Sequence, residues 1–264
     1  MIDTHKKWIE EIFDRASPTY GERESSYFDY YGEKLVSLAG LNPGDNILDV
    51  ATGKGAVLFP ASRAIGSHGR AFGIDLSQGM IEGARKRVQF PWVHLGQMDA
   101  EELRFPDATF DAVLCGFAAF FFPNRMKAFS EFKRVLKTGG RLALSIWGNP
   151  CPLDAWMAER AKELGAVRMM RVGTPLDTKE ALKQLLGEAG FDAVQIVEEK
   201  ATFWHANGAS YWESLWSHGC RARLEQLAAD KLELLKREVM IKAEMERAEP
   251  GIPHPVQAFI AVAS

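Results

Sequence analysis

Residues 46–59, NILDVATGKGAVLF, restrict what this chain can become more than any other stretch. A short apolar run ends on an acidic residue, passes into a glycine-rich turn and continues into an apolar helix start. α/β proteins use that order to bring backbone against a nucleotide-like ligand at the end of a strand. The 264 residues suffice for one large α/β domain with small appended elements.

The rest of the chain repeats the pattern. Strands are predicted near 46–50, 70–75, 92–97, 110–116, 141–147, 193–203 and 257–263, with helices over 54–65, 78–88, 125–137, 153–166 and 178–189. Apolar runs alternating with amphipathic segments imply a mostly parallel sheet with helices on both faces. LKTGGRLAL (136–144) reads as a helix stop, Gly139 and Gly140 supplying the left-handed turn before the next strand. Two further helices, HKKWIEEIFDRA and SSYFDYYGEKLVSLAG, precede the sheet. We read a single domain over 1–264, with an N-terminal helical lid over 1–40 and a helical insertion over 205–255 before the last strand. Leu224, Leu227, Leu232 and Leu235 give the insertion an apolar stripe that packs on the domain or on a second copy of the chain.

Basic and acidic residues number 32 and 35, a formal net charge of -3, so no basic field points to nucleic acid or anionic lipid, and a small molecule is the expected partner. The first residues lack the apolar core of a signal peptide, and the longest apolar run, residues 112–123, is shorter than the ~20 residues a membrane helix needs. A cytoplasmic location without membrane insertion is expected. Cys115, Cys151 and Cys220 form no C-x-x-C pair, so neither a disulfide framework nor a zinc site is signalled; they read as packed thiols, and only their convergence would allow a metalloid substrate.

Three ligands compete for the glycine turn. A phosphate loop requires a hydroxyl residue after its lysine, and Lys54 is followed by Gly55. A dinucleotide turn is met only in degraded form, and Asp49 at the strand end would repel a pyrophosphate. S-adenosylmethionine carries an ammonium and a sulfonium and no phosphate, so the same carboxylate suits it, while Gly53 and Gly55 allow close approach. Asp75 ends the next strand, placed to accept both ribose hydroxyls, with Ser77 as a helix N-cap and Leu76 and Met80 able to pack on adenine. Asp99 follows the third strand, where it can accept from the adenine amino group while the Ala100 amide donates to a ring nitrogen.

ILDVATGKGAVLF, GIDLSQGMIEGARKR, MDAEELRFPDATFDAV and FSEFKRVLKTGGRLALSIW together resemble the class I S-adenosylmethionine-dependent methyltransferases, specifically the ubiquinone/menaquinone-biosynthesis-type small-molecule enzymes. The resemblance runs from about Asn46 to Trp147. It implies a Rossmann-like seven-stranded sheet whose last strand is antiparallel. Asp49, Ala51, Gly53 and Gly55 would lie on the methionine portion, Asp75 on the ribose, and Asp99 with Ala100 on the adenine. Relatives often carry glycine at Ala51 and a small or hydroxyl residue at Lys54. FDRASPTYGE resembles the segment covering the cofactor, which assigns Tyr20 to the methionine end.

Methyl transfer from a sulfonium is an in-line displacement with an already activated donor, so the chain has mainly to align the acceptor and exclude water. The end of the fourth strand, LCGFAAFFFPNR, borders the reacting methyl; Cys115 is expected on the cofactor, and Phe117 and Phe120, with Tyr27, on an apolar or aromatic acceptor methylated at oxygen, carbon or nitrogen. The Asn- or Asp-Pro-Pro-aromatic tetrad of enzymes acting on nucleobases is absent. His218 and His254, in or beside the insertion, are the candidate bases. A cofactor-binding enzyme with a non-methylating reaction and an NAD-dependent oxidoreductase are the competing readings.

Overall fold

The computed structural model describes residues 2–21, 27–168, 170–171 and 173–264. The Ser25 and Ser26 start of the second predicted helix lies outside them.

Seven strands, β1 (Asn46–Val50), β2 (Arg70–Asp75), β3 (Val93–Gln97), β4 (Phe110–Gly116), β5 (Leu136–Trp147), β6 (Val194–His205) and β7 (Ile252–Ala263), form one sheet in the order 3-2-1-4-5-7-6. All pairings are parallel except those of β7, which runs antiparallel between β5 and β6. The predicted antiparallel last strand is therefore observed. The central strands β1 and β4 are buried nearly end to end, as strands covered on both faces must be. Side chains alternate between two cores: Leu48, Val50, Val113 and Cys115 join Phe129 and Phe132 on one face, while Ile47, Ala112 and Leu114 join Leu58 and Ile65 on the other.

Ten α-helices are described: α1 (Ile2–Ala16), α2 (Tyr27–Leu38), α3 (Leu58–Ile65), α4 (Gln78–Arg85), α5 (Arg125–Val135), α6 (Pro152–Glu163), α7 (Lys179–Glu188), α8 (Gly208–Ser214), α9 (Arg221–Leu224) and α10 (Ala229–Met245). Their starts are chemically marked. Ser77, Asn124 and Thr178 each accept a backbone N–H in the first turn of α4, α5 and α7, and Asn207 with Ser210 closes a capping box on α8. Gly32 lets α2 lie on the glycine turn, because a Cβ there would stand 2.1 Å from the carbonyl oxygen of Ala56.

Three element starts differ from the sequence reading by four residues or more, one of them the last strand, expected at 257 and beginning at Ile252. The helix expected from residue 54 begins at Leu58, since Gly53 (φ +53°) and Gly55 (φ +89°) hold left-handed backbone that no helix accommodates. The strand expected at 141 begins at Leu136, pairing with Phe110 before the register shifts to Ala112 opposite Arg141; Gly139 and Gly140 form an irregularity within β5 rather than a stop before it. The leucine stripe packs inside the chain: Leu224 and Leu235 are fully buried and Leu227 and Leu232 partly so, in a core with Met157, Tyr211 and Trp212. No helix among the described residues is long and apolar enough to cross a membrane.

Candidate functional site

Chain order places β1 in the middle of the sheet, with β2 and β3 to one side and β4 to the other. The crevice beyond the carboxyl ends of β1 and β4 is where open α/β sheets bind ligands. Two non-glycine residues leave those ends with left-handed backbone, Ala51 (φ +56°) after β1 and Phe117 (φ +52°) after β4. Such conformations cost a side-chain-bearing residue about 1–3 kcal/mol and persist only where surroundings impose them. Phe117 is held by its N–H, shared between the carbonyl oxygen (3.0 Å) and Oγ (3.2 Å) of Ser145, and by its ring, stacked on Trp147.

Three connected hollows open here. One is lined by Asp49, Ala51, Thr52, Gly53, Phe28 and Ser145. The second is lined by Asp75, Leu76, Met80, Asp99 and Ala100, and is covered by Lys6 and Phe13 of α1. The third, a cavity of about 1620 Å³ with its mouth included, reaches to α6, α9 and β7. Tyr20 and Phe117 line all three, so the hollows meet at these rings.

Asp49 is buried. Thr52 Oγ1 donates to its Oδ2 at 2.6 Å, whereas Oδ1 has no hydrogen-bond partner among the described residues. Burial, reinforced by the charge of Asp75, pushes its pKa up to about 7 against the hydrogen bond from Thr52. Asp75 accepts the Gly53 N–H at Oδ2 (2.8 Å) and the Ser77 N–H at Oδ1 (2.9 Å); burial still pushes it up to about 6. Two carboxylates whose ionised forms are this poorly compensated suit a cation and exclude a pyrophosphate. The orphaned Asp49 oxygen and the second lone pairs of Asp75 are the acceptors that the ammonium and ribose hydroxyls of S-adenosylmethionine require. The residues present fit that cofactor.

Asp99 and Ala100 line the second hollow, but Asp99 is already engaged. Lys6 Nζ donates to its Oδ2 at 2.7 Å and the Glu101 N–H to its Oδ1 at 2.9 Å, so an adenine amino group would share the carboxylate with Lys6. Lys6 also contacts the buried Glu101 at 2.6 Å. Asp14 of the same helix accepts from Ser77 Oγ and the Gly79 N–H at the start of α4. These α1 contacts were invisible in a helix that read only as charged and amphipathic. Lys54, the departure from the family pattern, lies along Gly83 of α4 with its ammonium 3.5 Å from the carbonyl oxygen of Pro18.

Three expected contacts are displaced. Cys115 is fully buried in β4, where burial raises its thiol pKa, and it lines no hollow; its neighbours Gly116 and Phe117 do. Phe120 is core, and Phe121 takes its place in the cavity wall. Gly55 supports the turn from beneath, where a Cβ would meet the Phe59 ring at 2.3 Å.

Tyr27, His218 and His254 all line the large cavity. Tyr27 sits edge-on to Trp147 at 5.5 Å and to His254 at 5.8 Å. His254 belongs to a chain that sequence reasoning missed: its Nε2 lies 3.0 Å from Asp154 Oδ2, its Nδ1 lies 3.3 Å from His205 Nε2, and Tyr211 Oη donates to Asp154 Oδ1 at 2.5 Å. Burial would raise the Asp154 pKa, but the bonds from His254 and Tyr211 outweigh it and hold the carboxyl well below its usual range. Both nitrogens of His254 thus lie against partners of the cavity wall, Asp154 on one side and His205 on the other. His218 is pushed down to about 4 by burial and is neutral near pH 7; its Nδ1 accepts the Cys220 N–H at 3.3 Å, leaving Nε2–H as a donor. Cys151 and Cys220 face the same cavity while Cys115 does not, so the three thiols do not converge. Cys151, Asp154 and His254 bring potential metal-ligand atoms within 4.8 Å of one another, yet Asp154 and His254 spend theirs on each other.

A family model described as a methyltransferase domain matches residues 48–144. Aklanonic acid methyltransferase of Streptomyces sp. (strain C5) is 36% identical over 145 residues, spanning 54% of this chain and 66% of that protein. Nocamycin O-methyltransferase of Saccharothrix syringae is 28% identical over 240 residues, spanning 83% of this chain and 85% of the relative. A solved structure from Bacillus halodurans C-125, assigned as a methyltransferase, superposes with a TM-score of 0.61 at 25% identity and covers 88% of this chain and 97% of its own. The matched span holds the acidic strand ends and the glycine turn, and with the sheet order and the charge of the crevice it leaves one conclusion: the chain belongs to the class I S-adenosylmethionine-dependent methyltransferases.

Proposed function

We propose that the enzyme methylates an oxygen of a small aromatic acceptor held in the large cavity. The carrying observation is that Tyr20 and Phe117 line the cavity and both cofactor hollows, so the acceptor and the donor meet at one place. S-adenosylmethionine, when bound, supplies a methyl group on a sulfonium that needs no further activation. Tyr27, Phe28 and Trp147 form an aromatic wall, with Tyr27 and Phe28 centroids 4.6 Å apart and Phe28 and Trp147 5.9 Å apart, and flat rings slide against such a wall with little conformational cost. The Nε2–H of His218 is a donor to an acceptor oxygen. The nocamycin relative is named for transfer to oxygen, in keeping with this reading.

Incubation with isotopically labelled S-adenosylmethionine and a panel of naphthols and hydroxyquinones tests it. A labelled methyl ether and S-adenosylhomocysteine in equal amounts are expected. Cofactor binding without any methylated product across the panel would instead favour a non-methylating reaction.

Cofactor affinity should follow pH. An acid whose pKa is raised by folding binds its proton more tightly in the empty fold, so its ionisation opposes stability progressively as pH rises from about 4 through about 7. A cation beside Asp49 favours the ionised form, so binding strengthens over the upper part of that window. The dissociation constant for S-adenosylmethionine is expected to be roughly tenfold weaker at about pH 6 than at about pH 7.5, since each unit below the pKa costs a factor of ten in the ionised fraction. Calorimetric titration at the two pH values measures it, and Asp49→Asn flattens the dependence.

A further inference from the structure

The large cavity is also lined by Arg168, Arg171 and Arg223. Arg168 and Arg171 come from the stretch after α6, and Arg223 from α9. The Arg168 backbone is held on both sides: Gln226 Oε1 accepts its N–H at 2.7 Å and Gln226 Nε2 donates to its carbonyl oxygen at 3.0 Å. The Arg168 guanidinium lies 3.8 Å over the Trp8 ring and that of Arg171 lies 4.3 Å over the Phe120 ring. Among the described residues neither guanidinium makes an ion pair, although this chain ion-pairs many of its other arginines. Aromatic faces hold a guanidinium while leaving its N–H edge available.

The convergence is local. The chain as a whole has a formal net charge of -3, and the acidic residues lining this cavity are Asp154 and Asp177. Asp154 is taken up by His254 and Tyr211. Burial lowers the Arg171 pKa, and the charges of Arg223 and Arg125 add to that against Cys220 and Asp177. Cationic side chains lining one cavity favour an anion that sits among them.

We infer that the acceptor carries a carboxylate, captured by Arg168 and Arg171, while its aromatic body lies along Tyr27 and Trp147 toward Phe117. The inference rests on the large cavity being the acceptor site.

The test uses the full chain saturated with S-adenosylhomocysteine, titrated with 1-hydroxy-2-naphthoate and, separately, with its carboxamide. The acid is expected to bind at least about tenfold more tightly than the amide, as loss of charge-assisted hydrogen bonds implies. Arg171→Gln and Arg168→Gln should each erode the preference, Arg171→Lys should keep part of it, and the affinity for S-adenosylhomocysteine should stay unchanged in all three. Equal affinities, no binding of the acid, or a preference that survives both glutamine variants overturns the proposal. If the acid binds in an arginine-dependent way but the turnover panel yields no methylated product, the oxygen-methylation reading fails while the anion site stands.

Discussion

Replacing Asp75 with alanine is expected to weaken binding of S-adenosylhomocysteine by about 10- to 100-fold, the size of one lost hydrogen bond to a charged acceptor. The carboxylate is the last residue of β2 and lines the second hollow, each of its oxygens accepting one amide, from Gly53 and Ser77. The substitution therefore removes the ligand's acceptor and also the tie that holds the glycine turn to β2. Titration calorimetry on native and variant protein separates the outcomes. An unchanged dissociation constant would mean that the ribose is held elsewhere and that Asp75 only braces the turn.

The second large effect is on stability. Asp154→Ala deletes the partner of both the Tyr211 hydroxyl, in the core behind the large cavity, and the His254 ring, in the cavity's wall. Each donor left without a partner costs about 1–3 kcal/mol, and because water can enter from the cavity the sum is placed at about 2–4 kcal/mol. That is a fall in melting temperature of about 5–12 °C for a chain of this size. Asp154 lines neither cofactor hollow, so the affinity for S-adenosylhomocysteine should remain native. Thermal unfolding reads the first expectation and calorimetry the second; an unshifted melting temperature would show that the network is incidental.

The sheet and the cofactor side of the site were legible in the sequence for a shared reason. A carboxylate at the end of an apolar run is positioned by strand geometry alone, and Asp49 and Asp75 lie at β1 and β2 ends as read, with Ser77 capping α4. Legibility failed where glycines could be read two ways. Gly139 and Gly140 satisfy a helix stop as well as a strand irregularity, and only the pairing of Leu136 with Phe110 decides between them. It failed again where partners are distant. Asp154 sits in the first turn of α6 as an ordinary helix-start acid, and nothing within the chain's local pattern joins it to a histidine 100 residues away. The Arg168, Arg171 and Arg223 cluster likewise exists only once the stretch after α6 is laid against α9.

The division of the crevice has a historical meaning. Among the described residues none beyond Ser145 lines either cofactor hollow, whereas most of the large cavity's wall comes from the chain after Trp147. Mutations that reshape the later segment leave the earlier one intact, so a lineage built this way can trade one acceptor for another in small steps without passing through a form that has lost its donor.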